Sequence, residues 1–124
     1  MDGESTMNTA MALIAGAGDS RSYCMEAIEL AREGSFEEAR AAIKNAAEAM
    51  IETHEMQTDL IRDEMEGRPG PLSLLMVHAQ DHLNAALLMR DVAEEQIQVY
   101  QRLKNMEERL AQMCGLPEER EEKP

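Results

Sequence analysis

Apolar residues recur along this chain at alternating steps of three and four, in three runs separated by glycine and proline. The first run is Met7, Ala10, Ile14, Ala17, Arg21, Cys24, Ile28, Ala31. The second is Phe36, Ala39, Ile43, Ala46, Met50, Thr53, Gln57, Leu60. The third is Leu74, His78, Asp81, Ala85, Leu88, Val92, Gln96, Val99, Leu103, Met106, Leu110. Such steps place each run on one face of a helix. Their average of about 3.5 is the period of left-handed bundle packing. The breaks are Gly34-Ser35, then Gly67-Arg68-Pro69-Gly70-Pro71, then Gly115-Leu116-Pro117. Gly34 is placed to close a helix, and Ser35 with Glu38 spells a capping box for the next. The pattern predicts helices over roughly 5 to 33, 36 to 66 and 72 to 113. Short connections make successive helices antiparallel. The fold class is therefore all-α, an up-down-up three-helix bundle.

The third helix is long, on the order of 60 Å at about 1.5 Å per residue. Its stripe is also broad, since Leu75, His82, Ala86 and Met89 extend it sideways. One protomer offers two neighbouring helices to cover this face, and self-association is the natural way to bury the remainder.

Composition agrees with an all-α domain spanning residues 1–113. Helix-forming Ala, Leu, Met, Glu, Arg and Gln dominate, and Phe36, Tyr23 and Tyr100 are the only aromatic residues. The acidic segment 114–124 has little to bury and is expected to be disordered. The formal net charge of −13 excludes nucleic acid and anionic membrane as natural partners and favours a basic protein. Cys24 and Cys114 have no CxxC or framework spacing and read as reduced thiols. The first ten residues carry acid where a signal peptide has base, and no apolar run reaches the length of a membrane span. A soluble, cytoplasmic protein is expected.

The informative positions are the polar ones within the stripes: Arg21, Thr53, Gln57, His78, Asp81 and Gln96. An interhelical salt bridge is the expected use of Arg21, and a hydrogen bond inside the bundle that of Gln57. A carboxylate at Asp81 must meet a cation, a donor or water. The densest cluster is His78-Ala79-Gln80-Asp81-His82, and it holds two of the three histidines; His54 is the third. His78 and His82 are four apart and share a helical face with Asp81. Three readings of this cluster stay open on residue types alone. It is a set of structural histidines hydrogen-bonded to neighbours. It is a metal site, although Ala79 stands where the HExxH proteases have their general base. Or it transfers phosphoryl groups through a histidine nucleophile.

Four segments decide further. They are Ala17-Gly18-Asp19-Ser20-Arg21-Ser22, Ala31-Arg32-Glu33-Gly34-Ser35-Phe36-Glu37-Glu38-Ala39, His54-Glu55-Met56-Gln57-Thr58-Asp59-Leu60-Ile61 and Val77-His78-Ala79-Gln80-Asp81-His82-Leu83. In this order and at these spacings they resemble the IIA components of the lactose/cellobiose/chitobiose branch of the bacterial sugar phosphotransferase system. Ser20, Thr53 and Asn84 stand where that family more often has Ala, Ala and Met.

The resemblance implies three-helix protomers in a homotrimer. It implies that His78 accepts a phosphoryl group from HPr and passes it to a cysteine of the cognate IIB. It implies that Asp81 meets its symmetry mates around a divalent ion, Mg2+ being the expected one. His82 and Gln80 are candidates to stabilise the phosphoryl group. The runner-up from another class is a structural or signalling bundle whose His78–Asp81–His82 trio binds a metal and transfers nothing.

Overall fold

Gly34 and Gly67 decide where the chain turns. Both have positive φ, 86° and 83°, which a glycine adopts without steric cost. Each closes a helix with the same pair of bonds. Ser35 N donates to Leu30 O and Gly34 N to Ala31 O; Arg68 N donates to Asp63 O and Gly67 N to Glu64 O. The result, in a computed structural model that describes residues 3–115, is three helices: α1 (Gly3–Arg32), α2 (Phe36–Met65) and α3 (Leu74–Met113). The described residues contain no strand. The expectation of a disordered tail falls, from residue 116 on, outside the described residues.

The two helix starts differ from the reading of the sequence. Ser35 occupies the N-cap of α2, but its hydroxyl makes no capping bond. Its backbone lies at φ −88°, ψ 68°, away from the extended conformation that aims an N-cap side chain at the first turn. The capping box therefore does not form. Ser73 does cap α3: its backbone is extended and its hydroxyl accepts from Met76 N at 3.1 Å.

Helix α1 is the middle element. It packs extensively on both α2 and α3, which meet each other far less. Its buried face is Thr6, Ala10, Leu13, Ala17, Ser20, Cys24, Ala27 and Ala31, so Met7 and Arg21 fall outside the core. The seam with α2 is close because it is made of small residues. Ser20 Oγ donates to Ala46 O at 2.9 Å, both buried. Gly16 lies so near α2 that a Cβ there would overlap the Thr53 hydroxyl and sit 3.0 Å from Thr53 Cβ. Burial pushes the Cys24 thiol up from its ordinary pKa; Arg90 and the Ser20 hydrogen bond pull the other way, while Glu94 adds to the rise. Cys24 is thus an inert packing residue.

The face of α2 agrees with its stripe: Ala39, Ala46, Met50 and Thr53 are buried, with Ala42 beside them. The face of α3 does not. Its buried residues are Ala79, Leu83, Ala86, Ala93 and Ile97. The stripe through Leu74, His78, Asp81, Leu88, Val92, Val99 and Leu103 faces outward along the protomer. The third helix has two apolar faces. Close approach to α1 selects the one with small residues, and the bulkier face is left uncovered.

The seam generates a paired test. Gly16→Ala should destabilise the protein by about 1–3 kcal/mol, because Thr53 must give way. Gly18→Ala, where an added Cβ meets nothing within 4 Å, should stabilise it by about 0.5–1 kcal/mol through helix propensity. Urea unfolding reads both, and equal effects at the two positions would show that α1 and α2 are not this close.

Candidate functional site

Ser73 sets the start of α3, and the histidine cluster follows within its first turns. His78 is exposed and His82 half-buried. Their Nε2 atoms lie 3.0 Å apart, and the rings meet edge to face at 84° with centroids 4.4 Å apart. One of these nitrogens must donate and the other accept. The contact therefore requires an unprotonated ring nitrogen, and so a lone pair, in one of the two histidines. Spacing by four along α3 brings the pair together without help from another element.

Asp81 lies on the same outward face. It is exposed and belongs to no ion pair among the described residues. Its apolar neighbours along the stripe are exposed as well, Leu74 at 85 % and Leu88 at 64 %. Within one protomer its carboxylate meets water rather than a packed core. Among the described residues no three His, Cys, Asp or Glu side chains converge as a metal site. The His78–Asp81–His82 trio therefore does not form a metal cage within a protomer. Asp81 instead presents one oxygen donor group per chain, on a face that a second copy could reach. Oxygen donors from several chains suit a hard divalent cation.

The remaining candidates separate from this cluster. Gln80 is two residues from His78 and so points to another side of the helix. There Gln57 Nε2 donates to Gln80 Oε1 at 2.7 Å, and Gln80 Nε2 approaches Met76 Sδ at 3.7 Å. The expected bundle hydrogen bond of Gln57 is present. Gln80, expected beside the phosphoryl group, is turned toward α2 instead. Arg21 is exposed, and the ion pairs among the described residues lie between Asp59 and Arg68 without it; the expected salt bridge is not made. His54 is exposed on α2, where its carbonyl accepts from Thr58 Oγ1.

One feature of this end of the bundle has no signal in the helical periodicity. The loop Pro69–Leu72 stands beside Leu60, Ile61, Met76 and Gln80 and with them lines a half-open pocket of about 420 Å³. Only the fold brings a proline-rich turn beside α3 in this way. No helix among the described residues is long and apolar enough to cross a membrane.

Comparison with known proteins agrees with this geometry. The family model described as the lactose/cellobiose-specific IIA subunit of the PTS system matches residues 8–101. The lichenan-specific phosphotransferase enzyme IIA component of Bacillus subtilis is 44% identical over 91 residues, covering 73% of this chain and 83% of the relative. The cellobiose-specific EIIA component of Lactococcus lactis is 37% identical over 101 residues, covering 82% and 87%. The crystal structure of the PTS cellobiose-specific enzyme IIA from Bacillus anthracis superposes with a TM-score of 0.79 at 37% identity, covering 85% of this chain and 94% of that one.

The Gln57–Gln80 bond ties α2 to the helix that carries the histidines. Gln57→Leu should cost about 1 kcal/mol, the net worth of one such bond with its acceptor half-buried. Unfolding by urea measures it; an unchanged midpoint would mean that water replaces Gln57 without loss.

Proposed function

The chain belongs to the lactose/cellobiose-specific IIA family of the sugar phosphotransferase system, and from that membership we propose that His78 is its phosphoryl carrier. The observation that carries the proposal is the 3.0 Å contact between the Nε2 atoms of His78 and His82 on an exposed face. In the tautomer where His82 donates, His78 Nε2 accepts with the lone pair that a nucleophile needs, and the His82 N–H leaves that lone pair when a phosphoryl group approaches. HPr supplies the phosphoryl group. The bond from phosphorus to the HPr histidine nitrogen breaks, that nitrogen keeps the electron pair, and a bond forms from phosphorus to a ring nitrogen of His78. The His82 N–H then donates to a phosphoryl oxygen and offsets the charge spread over it. In the second step a cysteine thiolate of the cognate IIB attacks phosphorus and His78 leaves with its lone pair. The sugar served is of the lactose/cellobiose/chitobiose type, and similar proteins are named for lichenan, cellobiose and lactose. An exposed acidic surface suits a basic donor protein.

The active form is a homotrimer. The core within a protomer is largely alanine, while Leu74, Val77, Leu88, Val92, Val99 and Leu103 are left exposed on α3. A stripe of this length on a soluble helix calls for a covering surface. Three copies around a closed axis bury it and bring three Asp81 carboxylates together. Like charges that close repel, and a shared divalent cation such as Mg2+ resolves the repulsion. In the assembly His78 stands beside this axis stripe, within reach of side chains of a neighbouring copy.

Incubation with phosphoenolpyruvate, enzyme I and HPr should place one acid-labile phosphate on each protomer. His78→Ala should abolish labelling with helical content unchanged, and His82→Ala should slow it by roughly 100- to 1,000-fold, the scale of a lost charge-stabilising donor. Full labelling of His78→Ala would sink the assignment.

Light scattering should return three times the 13.9 kDa protomer mass. Asp81→Leu should keep the trimer and lose its bound metal by elemental analysis, because an apolar residue suits the stripe better than a carboxylate does. Dissociation of that variant into monomers would show that the ion, rather than apolar burial, holds the axis.

A further inference from the structure

Helix α3 outruns the bundle it belongs to. Arg32 Nε reaches the Tyr100 hydroxyl at 3.5 Å, and Arg40 Nη2 reaches Gln101 Oε1 at 3.3 Å. These contacts mark how far the end of α1 and the start of α2 extend along α3. Beyond them α3 continues to Met113, another twelve or so residues and roughly 18 Å. The family match ends at residue 101, so this extension lies outside the part of the chain that defines the family. It is not a polar overhang. Leu103, Met106, Leu110 and Met113 are 45, 56, 58 and 83 % exposed, and they continue the stripe that carries Asp81. The steps from Gln96 are three, four, three, four, three, a heptad pattern after a single four-residue slip at Leu88, Val92 and Gln96.

The charges beside this stripe indicate what covers it. With Leu103 and Leu110 at one core position of the heptad and Met106 and Met113 at the other, Arg102 and Arg109 precede each leucine, and Glu107 follows Met106. In a parallel coiled coil the residue before the first core position faces the residue five places later on the adjacent chain. Arg102 thus faces Glu107 of the next copy. An antiparallel pairing would oppose Arg102 to Arg109 instead, a like-charge contact. A three-fold assembly requires the parallel arrangement.

We propose that residues 102–113 form a parallel three-stranded coiled coil between copies of this chain, with its Leu103, Met106, Leu110 and Met113 side chains inside and Arg102–Glu107 pairs between neighbouring strands. This rests on the trimer proposed above and extends it. The zipper is a second, independent fastening of the assembly, at the far end of α3 from His78. It holds the trimer without taking part in phosphoryl transfer. Nothing within the protomer packs on these four side chains enough to bury them, so the copies supply the burial that α1 and α2 do not.

The test uses the full chain, with sedimentation to read assembly and HPr-dependent labelling to read function. Leu103→Glu combined with Leu110→Glu should raise the trimer dissociation constant by at least about tenfold, the equivalent of about 1.4 kcal/mol. Labelling of His78 should persist at concentrations where this variant is trimeric. Arg102→Glu alone should weaken the trimer severalfold, and adding Glu107→Arg should restore it, since the swap re-forms the pairs with reversed sign. A trimer indifferent to the two leucine changes, or a charge swap without recovery, overturns the zipper while leaving the trimer in place. Loss of labelling from a variant that stays trimeric overturns it too and assigns this face to the phosphoryl donor. A monomeric wild type overturns the trimer itself.

Discussion

The close approach of α1 to both of its neighbours is the constraint from which the rest of the structure follows. Gly16 against Thr53 and Ser20 against Ala46 leave no room for larger side chains on the α1–α2 seam. The opposite seam uses Ala79, Ala86 and Ala93 of α3. Alanine buries little apolar area, and at about 25 cal/mol per Å² it returns little stability for each position. The gain is proximity: three long helices share one thin, dense interior. The cost falls on the large apolar residues: beyond Leu13, Met50, Leu83 and Ile97, few of them find a place inside.

That displacement produces the face on which the proposed function rests. Leu88, Val92 and Val99 sit on the outside of α3 in the same rows as His78 and Asp81. A helix that buried its leucines within the protomer would turn its histidines inward with them. Here the alanine face is turned in, so the His78–His82 pair is set at the surface next to an apolar strip. The imidazole proposed as the carrier and the surface proposed to meet other copies are thus positioned by a single rotation of α3. The Ser73 cap and the Gln57–Gln80 bond hold that rotation at the end where the histidines lie.

How much of this is legible in the sequence differs between helices. On α2 the apolar stripe and the packed face coincide, because this helix has one apolar face and polar residues opposite it. On α1 every second member of the stripe is off by one position: Leu13, Ser20 and Ala27 are buried where Ile14, Arg21 and Ile28 carry the visible pattern, while Ala10, Ala17, Cys24 and Ala31 belong to both. On α3 the pattern singles out the wrong face for the protomer. Hydrophobic periodicity is weighted toward bulk, whereas the helix interface is chosen by how near two backbones can come. Gln80 illustrates the same limit at the site: its place in the motif sets it beside His78 in sequence, but two residues along a helix turn it toward α2.

The sequence by itself determined the three helices, their breaks at Gly34 and Gly67, the pairing of His78 with His82, and the family, because these depend on local propensity, on left-handed glycine turns and on spacing by four. Only the tertiary structure decided which face of α3 is inside, that Asp81 and its leucine stripe are left to solvent in the protomer, that Gln80 is engaged by Gln57, and that α3 extends past the bundle. Those outcomes depend on the distance between helix axes, set by small residues on two different helices at once, and no periodicity within one helix records it.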